Sequence, residues 1–207
     1  QRRSADAADC YQQAIALKPD RPDSHNKLGA ARLDLQQVAE AIGSFRTATR
    51  LAPEYAEPYS NLGFAYTRLR ELDKAIESCR TALRLTPNFA EAHNNLAMAL
   101  LASGDLAAGW PEYEWRWQVP PALQTRRDFA QQQWRGEAGE GRTLLIHGEQ
   151  GAGDMLQFCR YVPLAKARGW RVMVEVPGTL LRLLSSVRGV DVLVMTGSPL
   201  PTFDVQC

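Results

Sequence analysis

Through residue 117 the apolar positions recur at three-and-four spacing, and beyond residue 141 that spacing alternates with short unbroken apolar runs. In "LGFAYTRLRELDKAIESCRTALRLTPNFAEAHN", Leu62, Gly63 and Tyr66 share one face of a helix, and Ala75, Cys79 and Ala82 share one face of a second. Gly63 and Ala75 let the two backbones approach closely. Pro87 ends the second helix because it lacks the N–H that a continuing helix needs. The same layout recurs without gaps as Leu28, Gly29, Ala41, Phe45, Ala48 and Pro53, and a half-present unit supplies Ala7, Tyr11, Ala14 and Pro19.

Pro19, Pro53 and Pro87 fall 34 residues apart. Helix pairs at that period resemble tetratricopeptide (TPR) repeats, and the resemblance implies an α-helical solenoid of about three and a half repeats over residues 1–117. The fourth repeat departs from the pattern in "GDLAAGWPEYEWRW", with Gly109 where Ala is usual and Arg116 where a small residue is expected. Trp110, Tyr113 and Trp117 share one face there. That face is either the altered outer surface of a terminal repeat or an aromatic platform for a ligand.

Residues 118–141 read as a linker, with paired prolines, polar runs and glycines. After it, "RTLLIHG", "WRVMVEV" and "VDVLVM" predict strands, while "DMLQFCRYVPLAKARG" and "TLLRLLSSVRG" predict helices. Strands alternating with helices imply a parallel sheet, so residues 142–207 read as an incomplete Rossmann-like α/β domain. Three strands would leave a sheet edge uncovered. The chain opens with Gln partway through a repeat and stops soon after the third strand, so the expectation is an internal piece of a longer protein.

Composition adds mainly exclusions. The 207 residues are 45% hydrophobic with a net charge of +1, and Lys and Arg are scattered, which argues against nucleic acid and anionic membranes as partners. No apolar run is long enough to span a bilayer and no secretory leader opens the chain, so a cytoplasmic location is expected. Cys10, Cys79, Cys159 and Cys207 lie far apart and give neither a disulfide framework nor a zinc site by spacing. His25 and His93 occupy packing positions, and no metal is expected.

With the packing positions assigned, the remaining face of each first helix lines a groove carrying Asn26, Lys27, Ser60, Asn61, Asn94 and Asn95. An Asn amide offers donors and an acceptor, so a row of them can bond the backbone of an extended peptide. The other reading is a solvated face with no ligand. "SNLGFAYTRLRELDKAIESCRTALRLTPNFAEAHNNLA" resembles the repeats of the O-linked N-acetylglucosamine transferases, whose Asn ladder binds peptide backbone; Asn61 and Asn95 match that ladder, and Lys27 replaces it one repeat earlier.

The loop "HGEQGAGDMLQF" has the outline of a phosphate-cradling turn without its chemistry. Gly148 to Gly153 has P-loop spacing, but Asp154 and Met155 stand where Lys and a hydroxyl residue are needed. The order of glycines also misses the dinucleotide fingerprint, although Glu175 lies where a ribose-binding acid would. A carboxylate at a helix start repels a second anion, so Asp154 favours an uncharged, hydroxyl-bearing ligand; it can equally be a helix N-cap.

"LLIHGEQGAGDMLQFCRYVPLAKARGWRVMVEV", with "GWPEYEWRW" and "WRGEAGEGR" before it and "LPTFD" after it, resembles bacterial TPR proteins that carry a heptosyltransferase-like glycosyltransferase domain of the two-domain (GT-B) type. The resemblance implies that residues 142–207 start the acceptor-binding half, with Gly153 and Asp154 matching a Gly-Asp pair whose Asp is the proposed base, and Gly151 shaping the substrate loop beside Gln150 and Gln157. It further implies no cofactor held by this chain, since the nucleotide-sugar donor would bind a domain that is absent, and no activity of this piece alone. A peptide or protein would occupy the repeats. The competing reading is a non-catalytic binding module with a degenerate α/β scaffold.

Overall fold

The computed structural model describes residues 2–120, 127, 129–148 and 151–207. The chain divides into two compact units, Gln1–Gln124 and Thr125–Cys207.

The first unit is a stack of helices: α1 (Arg2–Leu17), α2 (Pro22–Asp34), α3 (Val38–Leu51), α4 (Ala56–Arg68), α5 (Leu72–Leu85), α6 (Ala90–Ser103) and α7 (Leu106–Tyr113), followed by a 3-10 turn, Glu114–Gln118. Pro19, Pro53 and Pro87 each follow two residues after a helix end, at Leu17, Leu51 and Leu85. The predicted stripes are the buried ones: Ala41, Phe45, Ala48, Ala65, Ala75, Cys79 and Ala82 are all sealed from solvent. Gly63 is required by proximity, because a Cβ there would lie 2.1 Å from Cys79 Sγ.

Within each pair the chain reverses through one left-handed residue, Gln36 (φ 65°), Arg70 (φ 62°) and Gly104 (φ 91°). In all three the N–H of the next residue returns to a carbonyl five positions back, Gln37 to Arg32, Glu71 to Tyr66 and Asp105 to Leu100, which satisfies a helix-end carbonyl. Helices α2, α4 and α6 pack on one another in succession, forming one layer with α1, α3, α5 and α7 behind it.

The last repeat is held by contacts of its own. Gly109 lies against Leu101, and the Asp105 carboxylate accepts from Ala108 N–H at 3.1 Å as the N-cap of α7. The guanidinium of Arg116, 8% exposed, lies between the Tyr113 and Trp117 rings at 4.5 and 4.4 Å, so the cationic residue fills the small-residue position by stacking. His93 stacks on Trp115 at 3.9 Å, pairs with Glu112 and meets the Pro87 carbonyl at 2.8 Å; His25 meets the Pro19 carbonyl in the same way. Both histidines serve packing, as their positions in the repeat imply.

The second unit is built on a parallel five-stranded sheet in the order β1-β5-β2-β3-β4, from Gln132–Gln133, Thr143–His147, Arg171–Val176, Val192–Met195 and Val205–Gln206 (β1 to β5 in chain order). One sheet face packs Leu144, Val172, Val174 and Val176 against Val162, Ala165, Trp170 and Leu184, and the other packs Leu145, Met173 and Val194 beside Phe129 and Phe203. Burial on both faces explains why these strands are apolar runs.

Three features differ from expectation. Part of the segment read as a linker belongs to the second unit: β1 is there, Trp134 and Trp170 both donate to Glu137 O at 3.0 Å, and Gly139 lies against Trp170. Residues 121–126 and 128 of that segment lie outside the described residues. Two short strands, β5 and β1, extend the sheet beyond β2, past the three predicted ones. The single long helix predicted after the loop is broken into Ala152–Phe158, a 3-10 turn Cys159–Tyr161, and Val162–Ala167, because Pro163 cannot donate to the preceding turn.

Candidate functional site

The α2, α4 and α6 layer carries two groups of hydrogen-bonded polar side chains, one around Asn26 and Asn61 and one around Asn95 and Ser60. Tyr55 Oη donates to Glu57 Oε2 at 2.9 Å, and burial together with that carboxylate pushes the phenol up to about 12. Asn26 Nδ2 donates to Glu57 Oε1 at 2.9 Å and to Tyr55 Oη at 3.3 Å, which leaves its Oδ1 to accept from Asn61 Nδ2 at 2.9 Å. One repeat later Asn95 Nδ2 donates to Ser60 O at 3.2 Å and Ser60 Oγ at 3.0 Å. The bonds from Asn61 and Asn95 each run to the residue one position earlier in the preceding repeat. Three residues after Asn61 and Asn95, on the same stripe, Phe64 and Met98 are 42% and 48% exposed.

In the second unit, His147, Glu175 and Gln206 lie at the carboxyl ends of adjacent strands β2, β3 and β5. His147 Nε2 meets Gln206 Oε1 at 3.1 Å, its Nδ1 is buried without a hydrogen-bond partner among the described residues, and its ring stands edge-on to Phe129. Glu175 is 3% exposed and paired with Arg127, whose guanidinium lies 4.6 Å from the Phe129 ring centre. Beyond β2, Gly151 is the N-cap of the helix Ala152–Phe158, and Asp154 is exposed in its first turn with its N–H on Gly151 O at 3.1 Å.

Models of the tetratricopeptide repeat match residues 56–89 and 78–110, and a TPR-repeat model matches residues 4–36 and 31–69. Residues 4–110 are tetratricopeptide repeats. The TPR stack is similar to solved structures that share its fold. MamA is 23% identical with a TM-score of 0.51, over 56% of this chain and 67% of that one. TTC0263, a thermophilic TPR protein of Thermus thermophilus, is 20% identical with a TM-score of 0.53, over 57% and 66%. YrrB, described as a TPR protein with an unusual peptide-binding site, is 18% identical with a TM-score of 0.50, over 58% and 62%. No curated protein matches the chain.

Of the six TPR groove residues expected from sequence, Lys27 is exposed and Asn61, Asn94 and Asn95 are half-buried, while Asn26 and Ser60 are 1% exposed. Those last two differ from expectation: they accept bonds from the following repeat and are covered by it. Lys27, where the ladder lacks its Asn, pairs with Asp23 at 3.1 Å, and the hydrogen bond and charge of Asp23 hold its ammonium above the ordinary range. Phe64 and Met98 were legible as apolar residues one repeat apart outside the packing pattern.

At the loop, Asp154 is in the third helical position and Gly151, which has no side chain to cap with, is the N-cap, so Asp154 is not the capping residue. A Cβ at Gly151 or Gly153 would meet nothing within 4 Å, so neither glycine is demanded by contacts of the fold itself. Gln150 lies outside the described residues. Glu175 is engaged by Arg127 rather than open to a ribose. Nothing in the linear order joins His147 to Gln206; only strand pairing does. Among the described residues, no helix is long and apolar enough to cross a membrane.

Proposed function

We propose that the TPR unit binds an extended peptide segment of a partner protein along the α2, α4 and α6 layer. The observation that carries this reading is the pairing, one repeat apart, of an oriented amide with an exposed apolar side chain: Asn61 with Phe64, and Asn95 with Met98. Amides bond a peptide backbone whatever its side chains are, and exposed Phe and Met supply apolar burial of about 25 cal/mol per Å². The peptide-binding site named for YrrB shows that this fold can carry one. Replacing Asn61 and Asn95 together with Ala should weaken binding of a peptide selected on the chain by tenfold or more, with the helical circular-dichroism signal retained. Equal affinity would remove the amides from the interaction.

A second reading concerns the α/β unit, as the acceptor half of a glycosyltransferase site. It is supported by a wholly parallel sheet and by an exposed carboxylate, Asp154, just beyond the carboxyl end of β2. Open parallel sheets bind ligands at that end. In this reading Asp154 takes the proton of an acceptor hydroxyl as the oxygen attacks the anomeric carbon of a nucleotide-sugar held by a further domain, and the bond from that carbon to the phosphate oxygen breaks to release the nucleotide with the electron pair. The test is sugar transfer by the full-length protein, abolished by Asp154→Asn; unchanged transfer would exclude Asp154 from the reaction.

A further inference from the structure

We infer that His147 and Gln206 form a ligand site at the carboxyl end of the sheet, in which His147 Nδ1 accepts a hydrogen bond from a hydroxyl of an uncharged polyol. The inference depends on neither reading above, since it uses neither the helical groove nor Asp154.

Strand pairing puts the residues of this site on one face. His147 and Glu175 are register partners on β2 and β3, and Gln206 pairs with Leu145, two residues before His147. Side chains two apart on a strand share a face, so His147, Glu175 and Gln206 continue the face of Leu145 and Met173 to its carboxyl end. Phe129 packs on that face with its ring centre 5.1 Å from that of His147, edge-on. Open parallel sheets take their ligands at this end.

The chemistry follows from the partner of Nε2. Gln206 Oε1 has lone pairs only, so at 3.1 Å the imidazole donates from Nε2 and the neutral ring keeps its lone pair on Nδ1. Nδ1 is sealed from solvent and meets no hydrogen-bonding group among the described residues, although the ring as a whole is only half-buried. A buried acceptor without a donor weakens a fold, and a phenyl ring would fill the same space without that loss. The imidazole is nonetheless held on two sides, by Gln206 and by Phe129, and a group fixed before binding loses little freedom when its ligand arrives.

Charge selects the class of ligand. Glu175 and Arg127 are matched to each other, so an ion would find no free countercharge in this group. With its Oε1 on the imidazole, Gln206 has its amide nitrogen left as a donor beside the Nδ1 acceptor. A hydroxyl both gives and takes a hydrogen bond, whereas an N–H only gives. A polyol therefore serves both halves of the pair at once.

The test uses the full chain with isotope-labelled histidine, read by ring-nitrogen NMR, with myo-inositol and glucose as probes and inorganic phosphate as the charged control. The His147 signals are assigned by their loss in His147→Phe. The expected result is an unprotonated Nδ1 whose signal moves saturably with either polyol, while His25 and His93 stay in place. By calorimetry, His147→Phe and Gln206→Leu should each weaken polyol binding about tenfold. His147→Phe should unfold in urea at no lower concentration than the parent, because the orphan acceptor is gone; Gln206→Leu keeps the test open should the Phe variant not fold. Asp154→Asn should leave polyol affinity unchanged. A protonated Nδ1 in the free chain, no saturable shift with either polyol, tighter binding of phosphate, or equal polyol affinity in both site variants would overturn the inference. Loss of polyol binding in Asp154→Asn would move the ligand to the loop and overturn it too, whereas absence of sugar transfer by the full-length protein with polyol binding intact would count against Asp154 alone.

Discussion

Asn95 donates to both the carbonyl and the hydroxyl of Ser60, a residue 1% exposed, and so joins the fourth repeat to the third through a polar contact inside an otherwise apolar stack. The equivalent contact from Asn61 to Asn26 joins the third to the second, and Asn26 in turn holds Glu57 and Tyr55.

Asn26 should therefore matter more to stability than Asn61. Asn26→Ala strips partners from Tyr55, Glu57 and Asn61 together, at a cost of about 2–3 kcal/mol, whereas Asn61→Ala removes one bond, worth about 1 kcal/mol. Urea unfolding followed by circular dichroism checks this, and an equal loss for both would show the network to be unimportant.

Gly63→Ala and Gly43→Ala should move in opposite directions. A Cβ at Gly63 collides with Cys79 Sγ and should cost about 1–3 kcal/mol, while one at Gly43 meets nothing and should add about 0.5–1 kcal/mol through helix propensity. Cys79→Ala in the Gly63→Ala background should recover part of the loss, because it removes the sulfur that the new methyl strikes.

Cys79 should resist thiol reagents until the stack unfolds. Burial pushes its thiol up to about 12, so almost no thiolate exists at neutral pH, and no solvent reaches it. Exposed Cys10 should react at once. Mass spectrometry after brief labelling with and without denaturant reads both, and rapid native labelling at Cys79 would contradict its packing.

Asp191 should make the second unit acid-sensitive. Burial pushes its carboxyl up, but the hydrogen bond and charge of Lys166 and the N–H of Val172 outweigh it and hold the group below its ordinary value of 3.8. A folded-state pKa below the unfolded one gives stability that is present above about pH 4 and is lost as pH falls through the lower folded value. Trp170 fluorescence followed through urea unfolding should show this loss, and Asp191→Asn should flatten it. An unchanged acid profile in the variant would assign the sensitivity elsewhere.

The helices, their order and their buried faces were legible because a repeat states its packing rules several times: Gly63 and Ala75 could be read as points of close approach, and a Cβ at Gly63 would lie 3.3 Å from Ala75 O, while its nearer contact with Cys79 came only from the structure. The end of the solenoid was legible as a departure from pattern, though the placement of Arg116 between two rings was not. In the second unit the three longer strands stood out as apolar runs, while two-residue strands such as Gln132–Gln133 carry no periodicity at all and exist only through their neighbours. The helix break at Tyr161 followed from Pro163, a signal that a continuous apolar pattern had masked.

By itself the sequence determined the repeat, its period and the stripe on which a ligand could lie, since these depend on spacing along a regular helix. Only the tertiary structure decided which end of each amide bonds the neighbouring repeat, because an Asn side chain can turn either end to a partner. That choice is made across the repeat boundary, by Ser60 of the preceding repeat for Asn95 and by Glu57 of the following repeat for Asn26. Tertiary structure decided equally that His147, Glu175 and Gln206 share one sheet end, a juxtaposition produced by strand pairing between segments that have no local relation.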